Sequence, residues 1–326
     1  MQQHQLGSEL TTSAIGLGCM GFSQGYGATD DDESIAAIHT AIDAGVTLFD
    51  TAMSYGGGPN ERLLARALRD AGEQVRVATK FGIIRTDSGV HLDGNPAHVR
   101  EYCDASLQRL DRDVIDLYYL HRIDPEVPIA ETVGAMAELV HAGKVRHLGI
   151  SEATPEQLTE AAAVHPIAAV QFEWSMLWRE PERDIVPTAR KLGIGLVPYS
   201  PLGRGLLTAT LDSTTVATSD FRRNDPRFQG DHLENNLSQV AALQDLATRL
   251  NITAGQLALA WLLAQGSDVV PIPGTRRSAR ILENAAAATV ELTPATLEDL
   301  EKLVSPEAWT GDRQSFAAPS TTRSTD

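Results

Sequence analysis

Short apolar runs alternate with longer stretches of helical periodicity along most of the chain. We interpret the runs as strands and the stretches between them as helices. Eight runs occupy residues 13–18, 46–50, 75–82, 115–121, 145–151, 167–173, 194–200 and 269–274. Helix start signals lie between several of them. Thr154 and Thr293, each followed by proline, predict an N-cap with proline at the first helical position, and Thr253 with Gln256 predicts a capping box.

Strands separated by helices are predicted to be parallel, because right-handed crossovers return each strand in the same direction. The near-continuous apolarity of the runs indicates that both faces of the sheet are buried. A doubly wound sheet would give the same alternation, but eight units in a single repeat favour a closed (β/α)8 TIM barrel of the α/β class. The 326 residues suit one such barrel domain over residues 1–326.

Two segments break this rhythm. Residues 203–232 are polar and aperiodic, and loops of that length are usually lids or disordered. We expect this loop to act as a lid. Residues 305–326 are rich in Ser, Thr and Ala, and we expect a mobile C-terminal tail.

Composition narrows the class of protein. The net charge of −16 disfavours nucleic acid or an anionic membrane as the main partner. No run of about 18 apolar residues predicts a membrane span, and the first ten residues lack the pattern of a signal peptide. Cys19 and Cys103 form neither a disulfide framework nor a metal cluster, and no metal is expected from the histidine spacing. These features predict a cytoplasmic location.

One motif suggests dinucleotide binding. Gly16 to Gly21, GLGCMG, matches G-x-G-x-x-G, but that fingerprint must open a helix at once. The residues that follow, FSQGYGATDDD, contain Gly25 and Gly27 and favour a loop. We therefore predict a strand and loop here. No phosphate-binding P-loop pattern and no H-E-x-x-H pattern occurs in the chain.

Four polar residues stand at or near predicted strand ends. Asp50 closes one run, Lys80 lies near the end of the next, His121 closes the third, and Tyr55 follows Asp50 in the adjacent loop. In a barrel these positions meet at the C-terminal rim, where catalytic groups lie. Asp50 and Lys80 could instead form a structural ion pair, His121 could be a core histidine, and Tyr55 a loop aromatic. The four together, on three consecutive strands, favour an active site.

These residue types suit the reduction of a carbonyl group. A tyrosine hydroxyl has a pKa near 10 and is a poor proton donor at neutral pH. The ammonium of Lys80 is predicted to lower the pKa of Tyr55 and make it a usable acid–base group. Asp50 would hold Lys80 charged, and His121 would hydrogen-bond the carbonyl oxygen. The hydride must come from a cofactor.

In this order and these contexts, Asp50, Tyr55, Lys80 and His121 resemble the catalytic tetrad of the aldo-keto reductases. The stretch YGGGPNERLL resembles the family's Y-G-x-x-x-N-E-x-L-L pattern, and VQFEWSMLWREPE, VPYSPLGRGLLT and PIPGTRRSARILEN resemble its later signatures. The resemblance covers about residues 10 to 290. It implies an NADPH-dependent enzyme that reduces aldehydes, ketones or dicarbonyls.

The resemblance also implies which residues bind NADPH. Ser151 and Gln171 would hold the carboxamide, Tyr199 would stack on the nicotinamide ring, and Cys19 and Met20 would lie nearby. The segment from Ser200 to Leu206 would follow the pyrophosphate. The implied cofactor contacts are Cys19, Met20, Asp50, Ser151, Glu152, Gln171, Tyr199, Ser200, Pro201, Leu202, Gly203, Arg204, Gly205, Gly274, Arg276, Arg280, Glu283 and Asn284.

Arg276 and Arg280 are expected to bind the 2′-phosphate, whereas Arg277 is interpreted as part of a solvated basic helix face. Glu152 departs from the family, which usually has asparagine after the serine, and it adds charge near the nicotinamide. Its effect is expected on the geometry of the carboxamide rather than on activity.

Two other functions remain open from the sequence. A cofactor-binding regulatory subunit, like the channel-associated members of the family, would bind NADPH with little turnover. The reverse reaction, oxidation of an alcohol or sugar with NADP+, is the other. Phe22, Met53, Trp174 and the two irregular segments are expected to set the preference for a small-molecule carbonyl substrate. The pattern predicts no oligomeric state.

Overall fold

Seven parallel strands form one curved sheet, with helices between consecutive strands. The structure is a computed structural model that describes residues 1–72, 74–86, 89–211 and 220–323. The strands are β1 (Gln3–Leu6), β2 (Leu10–Ser13), β3 (Leu17–Gly18), β4 (Leu48–Asp50), β5 (Arg76–Phe81), β6 (Ile83–Thr86), β7 (Gly89–Leu92), β8 (Ile115–Leu120), β9 (Val145–Ser151), β10 (Ile167–Glu173) and β11 (Gly195–Tyr199). The sheet order is β11-β10-β9-β8-β5-β4-β3, and β1–β2 and β6–β7 are separate antiparallel hairpins.

The eighth predicted run closes the barrel between β11 and β3 without forming a regular strand. The backbone N–H groups of Val270 and Ile272 donate to carbonyls of β11 at 2.8 and 3.0 Å. On the other side, the carbonyls of its two prolines accept from Gly16 and Gly18 at 3.0 and 3.2 Å. Proline carries no N–H, so this edge of residues 268–273 can only accept. The predicted (β/α)8 barrel is confirmed, with one strand made irregular by proline.

A hairpin that the sequence pattern did not predict seals the N-terminal end of the barrel. Leu6 and Leu10, at its turn, are buried against side chains from the barrel interior. The predicted strand over residues 13–18 is therefore wrong in its bounds. Ser13 ends β2, and only Leu17–Gly18 pairs with β4.

Helices cover the outside of the sheet. They are α1 (Asp31–Asp43), α2 (Pro59–Leu68), α3 (Pro96–Leu110), α4 (Ile129–His141), α5 (Pro155–Val164), α6 (Ile185–Lys191), α7 (Gly230–Arg249), α8 (Ala254–Leu263), α9 (Ser278–Ala286) and α10 (Pro294–Leu303). Capping boxes begin α5 at Thr154 and α8 at Thr253, and the side chain of Thr293 caps α10, which confirms the predicted helix starts. None of the helices in the described ranges is long and apolar enough to cross a bilayer.

The two irregular segments lie against the C-terminal rim of the barrel. In the first, 3-10 turns cover Gly203–Thr208, Phe221–Asn224 and Pro226–Phe228, and α7 already begins at Gly230. Residues 212–219 of the expected lid fall outside the described part of the chain.

The tail, by contrast, makes specific contacts from residue 305 to residue 323. Trp309 and Arg313 are buried, and Arg323 donates to the carbonyl of Leu177 at 2.8 Å. Its mobility stays a prediction, but its place on the rim is set by these side chains.

Candidate active site

The ends of three neighbouring strands bring the four predicted catalytic residues together. Asp50 is the last residue of β4, Lys80 lies one residue before the end of β5, and His121 directly follows β8. Strands β4, β5 and β8 are adjacent in the sheet, so the side chains converge at its carboxyl edge. Tyr55 reaches them from a 3-10 turn, Tyr55–Gly57, and its ring meets that of His121 edge-on at 5.8 Å between centroids.

The three glycines after Tyr55 make this turn possible. Gly56, Gly57 and Gly58 have φ values of 62°, 73° and 112°, a region that side chains with a Cβ rarely adopt. Asn60, buried at the start of α2, then fixes the turn. Its side chain donates to the carbonyl of Cys19 at 2.9 Å and accepts from the Thr51 hydroxyl at 2.6 Å. The positive φ values of the three glycines therefore allow the turn that places Tyr55 beside Lys80.

Lys80 links the acid to the tyrosine. Its fully buried ammonium pairs with Asp50, donates to the carbonyl of Thr51 at 2.8 Å and reaches the hydroxyl of Tyr55 at 3.3 Å. The other carboxylate oxygen of Asp50 accepts from the amide of Gln171 at 2.8 Å. Burial disfavours the charged ammonium, but Asp50 and Tyr55 outweigh it, and the pKa of Lys80 is raised.

The protonation states suit proton donation to a carbonyl. Burial raises the pKa of the Tyr55 phenol, and the lowering effect of Lys80 does not offset it. Lys80 therefore lowers this pKa as predicted, but the net pKa is raised, and Tyr55 is a neutral proton donor at neutral pH. Burial, with Arg122, Lys80 and Arg85, lowers the pKa of His121 well below its usual value, so the imidazole is neutral as well.

A cavity of about 870 Å³ opens above these residues, a size typical of small-molecule and cofactor sites. It is lined by the tetrad residues Asp50, Tyr55 and His121. Most of the cofactor contacts implied by the resemblance also line it, namely Met20, Asp50, Gln171, Tyr199, Ser200, Pro201, Leu202, Arg204, Gly205, Gly274, Arg276, Arg280 and Asn284.

The other implied cofactor contacts do not line the cavity. Cys19, Ser151, Glu152, Gly203 and Glu283 are absent from the described lining residues. Cys19 and Ser151 are buried at 1% and 0% exposure, and Glu283 is engaged with Arg280 and Thr253. Glu152 is buried at 4% exposure and contacts Tyr199 and Arg313.

The residues expected to set substrate preference are not on the cavity surface. Phe22 and Trp174 are buried in the core, at 3% and 1% exposure, and Met53 packs against it. Trp174 points inward because its indole N–H donates to Glu182 at 2.9 Å and its ring meets Trp261 edge-on. None of these three residues lines the cavity, and their role in substrate preference stays a prediction.

Sequence reasoning missed several lining residues that long-range contacts bring to the rim. Gln314, Ser315 and Phe316 come from the tail, and Arg122 binds them by donating to the Phe316 carbonyl at 2.8 Å. Arg122 could have been identified from the sequence, because it directly follows His121. The polar composition of the tail gave no signal for the other three.

Aromatic and cationic side chains from two loops contact one another at the cavity. Tyr26, from the loop after β3, meets Phe221 at 4.9 Å between ring centroids. Arg204 lies over the Phe221 ring at 4.6 Å, and Arg222 over the Tyr26 ring at 5.4 Å. The described part of the first irregular segment therefore contacts the loop after β3, and its role as a lid stays a prediction.

The basic residues just before α9 and in its first turn lie at one end of the cavity. Arg276 donates to the carbonyls of Tyr26 and Ala28, and Arg280 pairs with Glu283 at 2.8 Å. Arg277 is exposed, as expected, but it also lines the cavity. Since the partners of Arg276 are neutral carbonyls, its charge is free to bind an anion. This donor set, at a helix N-terminus, fits a phosphate group.

No group of three or more metal-binding side chains occurs in the described ranges.

Comparison with known proteins gives the same picture. The sequence profile of the aldo/keto reductase family matches residues 14–305. Probable aldo-keto reductase 1 of Glycine max is 43% identical over 308 residues, which is 93% of this chain and 89% of that protein.

Solved structures of this family share the fold closely. The glycerol dehydrogenase of Gluconobacter oxydans superposes with a TM-score of 0.85 at 31% identity, over 93% of this chain and 96% of that one. An aldo-keto reductase of Klebsiella pneumoniae, solved in complex with NADPH, superposes with a TM-score of 0.74 at 25% identity, over 94% and 96% of the two chains. Sequence, barrel and tetrad agree: this chain belongs to the aldo/keto reductase family.

Proposed function

We propose that the protein is an NADPH-dependent oxidoreductase that reduces the carbonyl group of an aldehyde or ketone to an alcohol. The observation that carries this proposal is the buried ammonium of Lys80, which lies between the carboxylate of Asp50 and the hydroxyl of Tyr55 at the floor of the cavity. Family membership and the NADPH-bound relative support the cofactor.

The four side chains divide the work at the carbonyl oxygen. NADPH, when bound, supplies the hydride that the carbonyl carbon receives. The neutral imidazole of His121 donates a hydrogen bond that orients the carbonyl, and Tyr55 gives its proton to the oxygen as the alcohol forms. Lys80 stabilises the resulting phenolate, and Asp50 holds Lys80 in its charged state.

The direct test is a screen of aldehydes, ketones and dicarbonyls, with NADPH consumption as the readout and the reverse reaction measured for the alcohols formed. Turnover of carbonyls well above a no-enzyme control supports the proposal. NADPH binding without turnover in either direction would contradict it and favour a regulatory protein.

The cofactor preference is expected to depend on Arg276 and Arg280. A charge-assisted hydrogen bond is worth roughly 1.5–3 kcal/mol, so Arg276→Ala or Arg280→Ala should weaken NADPH binding by about ten- to a hundredfold. NADH lacks the 2′-phosphate, and its affinity should hardly change. Fluorescence titration of both cofactors gives the dissociation constants.

Arg277→Ala is the matched control for these variants, because Arg277 lies beside them but is exposed. It should change the affinity for NADPH much less. An equal loss of NADH and NADPH affinity in the Arg276 and Arg280 variants would show that neither arginine binds the phosphate.

The lid predicted for residues 203–232 gives a second expected result. Limited proteolysis should cut this segment in the free protein, and NADPH should suppress the cleavage, since a bound pyrophosphate would lie beneath Arg204 and Phe221. Cleavage outside the segment serves as the control and should not respond to NADPH. Equal rates with and without NADPH would make the segment a passive loop.

A further inference from the structure

A buried arginine from the tail contacts the residue that departs from the family pattern. Arg313 is 5% exposed and forms a two-pronged ion pair with Glu152, with distances of 2.8 and 2.7 Å. The same guanidinium donates to the hydroxyl of Tyr199 at 3.1 Å. Arg313 therefore touches two positions that the family resemblance places at the nicotinamide end of the cofactor.

Glu152 is held at the junction of three strands and the tail. It follows β9 directly, with a φ of 55°, which is strained for a residue with a long side chain. Its Oε1 accepts from the hydroxyl of Tyr199 at 2.7 Å and from the backbone N–H of Glu173 at 3.3 Å. The side chain thus ties the ends of β9, β10 and β11 to Arg313.

The tail supplies part of the positive charge that faces the buried carboxylates of this region. Glu173, a second buried carboxylate, pairs with Arg227 at 2.5 Å and lies 3.8 Å from Arg204 and from Arg313. A third, Asp225, pairs with Arg227 at 2.7 Å. Among the described residues, Arg313 is the guanidinium in ion-pair contact with Glu152. Without Arg313, Glu152 would lose its ion-pair partner behind Tyr199.

Other tail residues lie on the same side of the site. Ser315 is 3.3 Å from the hydroxyl of Tyr199, and Arg204 donates to the carbonyl of Gln314 at 2.9 Å. The ring of Trp178 packs against the guanidinium of Arg313 at 5.3 Å. Arg313 is therefore part of a fixed contact, and the cavity wall at Tyr199 is completed by the tail.

From these contacts we infer that Arg313 is a positioning residue for the nicotinamide end of the site. Acting through Glu152 and Tyr199, it fixes the tyrosine ring and cancels the carboxylate behind it. This inference rests on the proposed function. The tail then affects the relative affinities of the protein for NADP+ and NADPH. The reason is charge, because the nicotinamide ring is positively charged in NADP+ and neutral in NADPH.

Variants that remove the charge of Arg313 or of Glu152 test this role, because they should change the cofactor preference in opposite directions. Arg313→Met removes the ion-pair partner of Glu152 and should favour NADP+ over NADPH. Glu152→Gln leaves the guanidinium with only the 3.8 Å contact to Glu173 and should favour NADPH over NADP+. A charge several ångströms away in a partly buried site can change the ratio of the two dissociation constants by about tenfold or more in each direction. The double variant Glu152→Gln/Arg313→Met should return the ratio to near its wild-type value.

Direct titration with NADP+ and NADPH gives this ratio without any need for turnover. The 2′-phosphorylated ADP-ribose fragment, which has no nicotinamide, is the control ligand and should bind all variants alike. Arg313→Lys keeps the charge and provides a conservative variant if Arg313→Met does not fold, which circular dichroism would show; it should keep the wild-type ratio.

Equal changes for NADP+ and NADPH in both single variants would overturn the inference and leave Arg313 with a structural role. The proposed function is judged separately, by carbonyl turnover of the wild-type protein. A wild type that binds both cofactors but reduces no carbonyl would contradict the function and leave the ratio test intact.

Discussion

Replacing Tyr55 with phenylalanine is expected to lower kcat by about 10²–10⁴-fold, the range for loss of a general acid. The hydroxyl is the group that lies 3.3 Å from the ammonium of Lys80 and can give a proton to the carbonyl oxygen. Phenylalanine keeps the ring and its edge-on contact with His121. The dissociation constant for NADPH should therefore stay close to that of the wild type, while steady-state turnover falls.

The variant Lys80→Met tests whether Lys80 acts in catalysis or only forms a structural ion pair with Asp50. It should lower kcat at neutral pH and shift the pH profile, but it also leaves Asp50 buried without its cation. The double variant Asp50→Asn/Lys80→Met restores the charge balance and is expected to recover stability without recovering kcat. Near-normal turnover in the Tyr55→Phe enzyme, or in the double variant, would remove the mechanism proposed for the tetrad.

Replacing Glu173 with glutamine is expected to lower the free energy of unfolding by about 3–5 kcal/mol, the usual cost of removing one partner from a buried ion pair. Glu173 is fully buried, and Arg227, which pairs with it, is fully buried as well. This network joins the end of β10 to the first irregular segment and to Arg313 in the tail. Chemical denaturation measures the loss.

The pKa of Glu173 predicts that the stability of the protein changes with pH. Burial raises the pKa of Glu173, but Arg227, Arg204 and Arg313 outweigh it and hold that pKa at about 2. An unfolded glutamate titrates at about 4.3, so the stabilisation is fully present above that pH and is lost as the pH falls toward 2. The Glu173→Gln variant should show a shallower fall in stability over this window.

Asp104→Asn is the control for this experiment. Asp104 pairs with Lys144 on the surface, with 46% of its side chain exposed, and exposed pairs contribute about 0–1 kcal/mol. A loss in Glu173→Gln no larger than in Asp104→Asn would mean that the buried network does not stabilise the fold.

Several features could be predicted from the sequence because they depend on neighbouring residues. Six of the eight apolar runs coincide with strands, and the caps at Thr154, Thr253 and Thr293 begin three helices as predicted. The tetrad could be predicted from the same information, since the carboxyl ends of parallel barrel strands must meet at one rim. The side chains that would function there were therefore visible as polar residues at the ends of apolar runs.

Other features depend on contacts between residues far apart in the chain, which no local pattern contains. The N-terminal hairpin, the proline-rich closing segment and the burial of Trp174 are of this kind. The direction of the pKa shift of Tyr55 is another, because burial by the whole site outweighs its nearest cation.

The clearest case is the pair formed by Glu152 and Arg313, which are 161 residues apart. The sequence marked Glu152 as an unusual charge and the tail as polar and mobile. Only the tertiary structure placed the guanidinium where it neutralises that charge, because a carboxylate buried at the end of β9 is stable in its charged form only with a cation brought to it from another part of the chain.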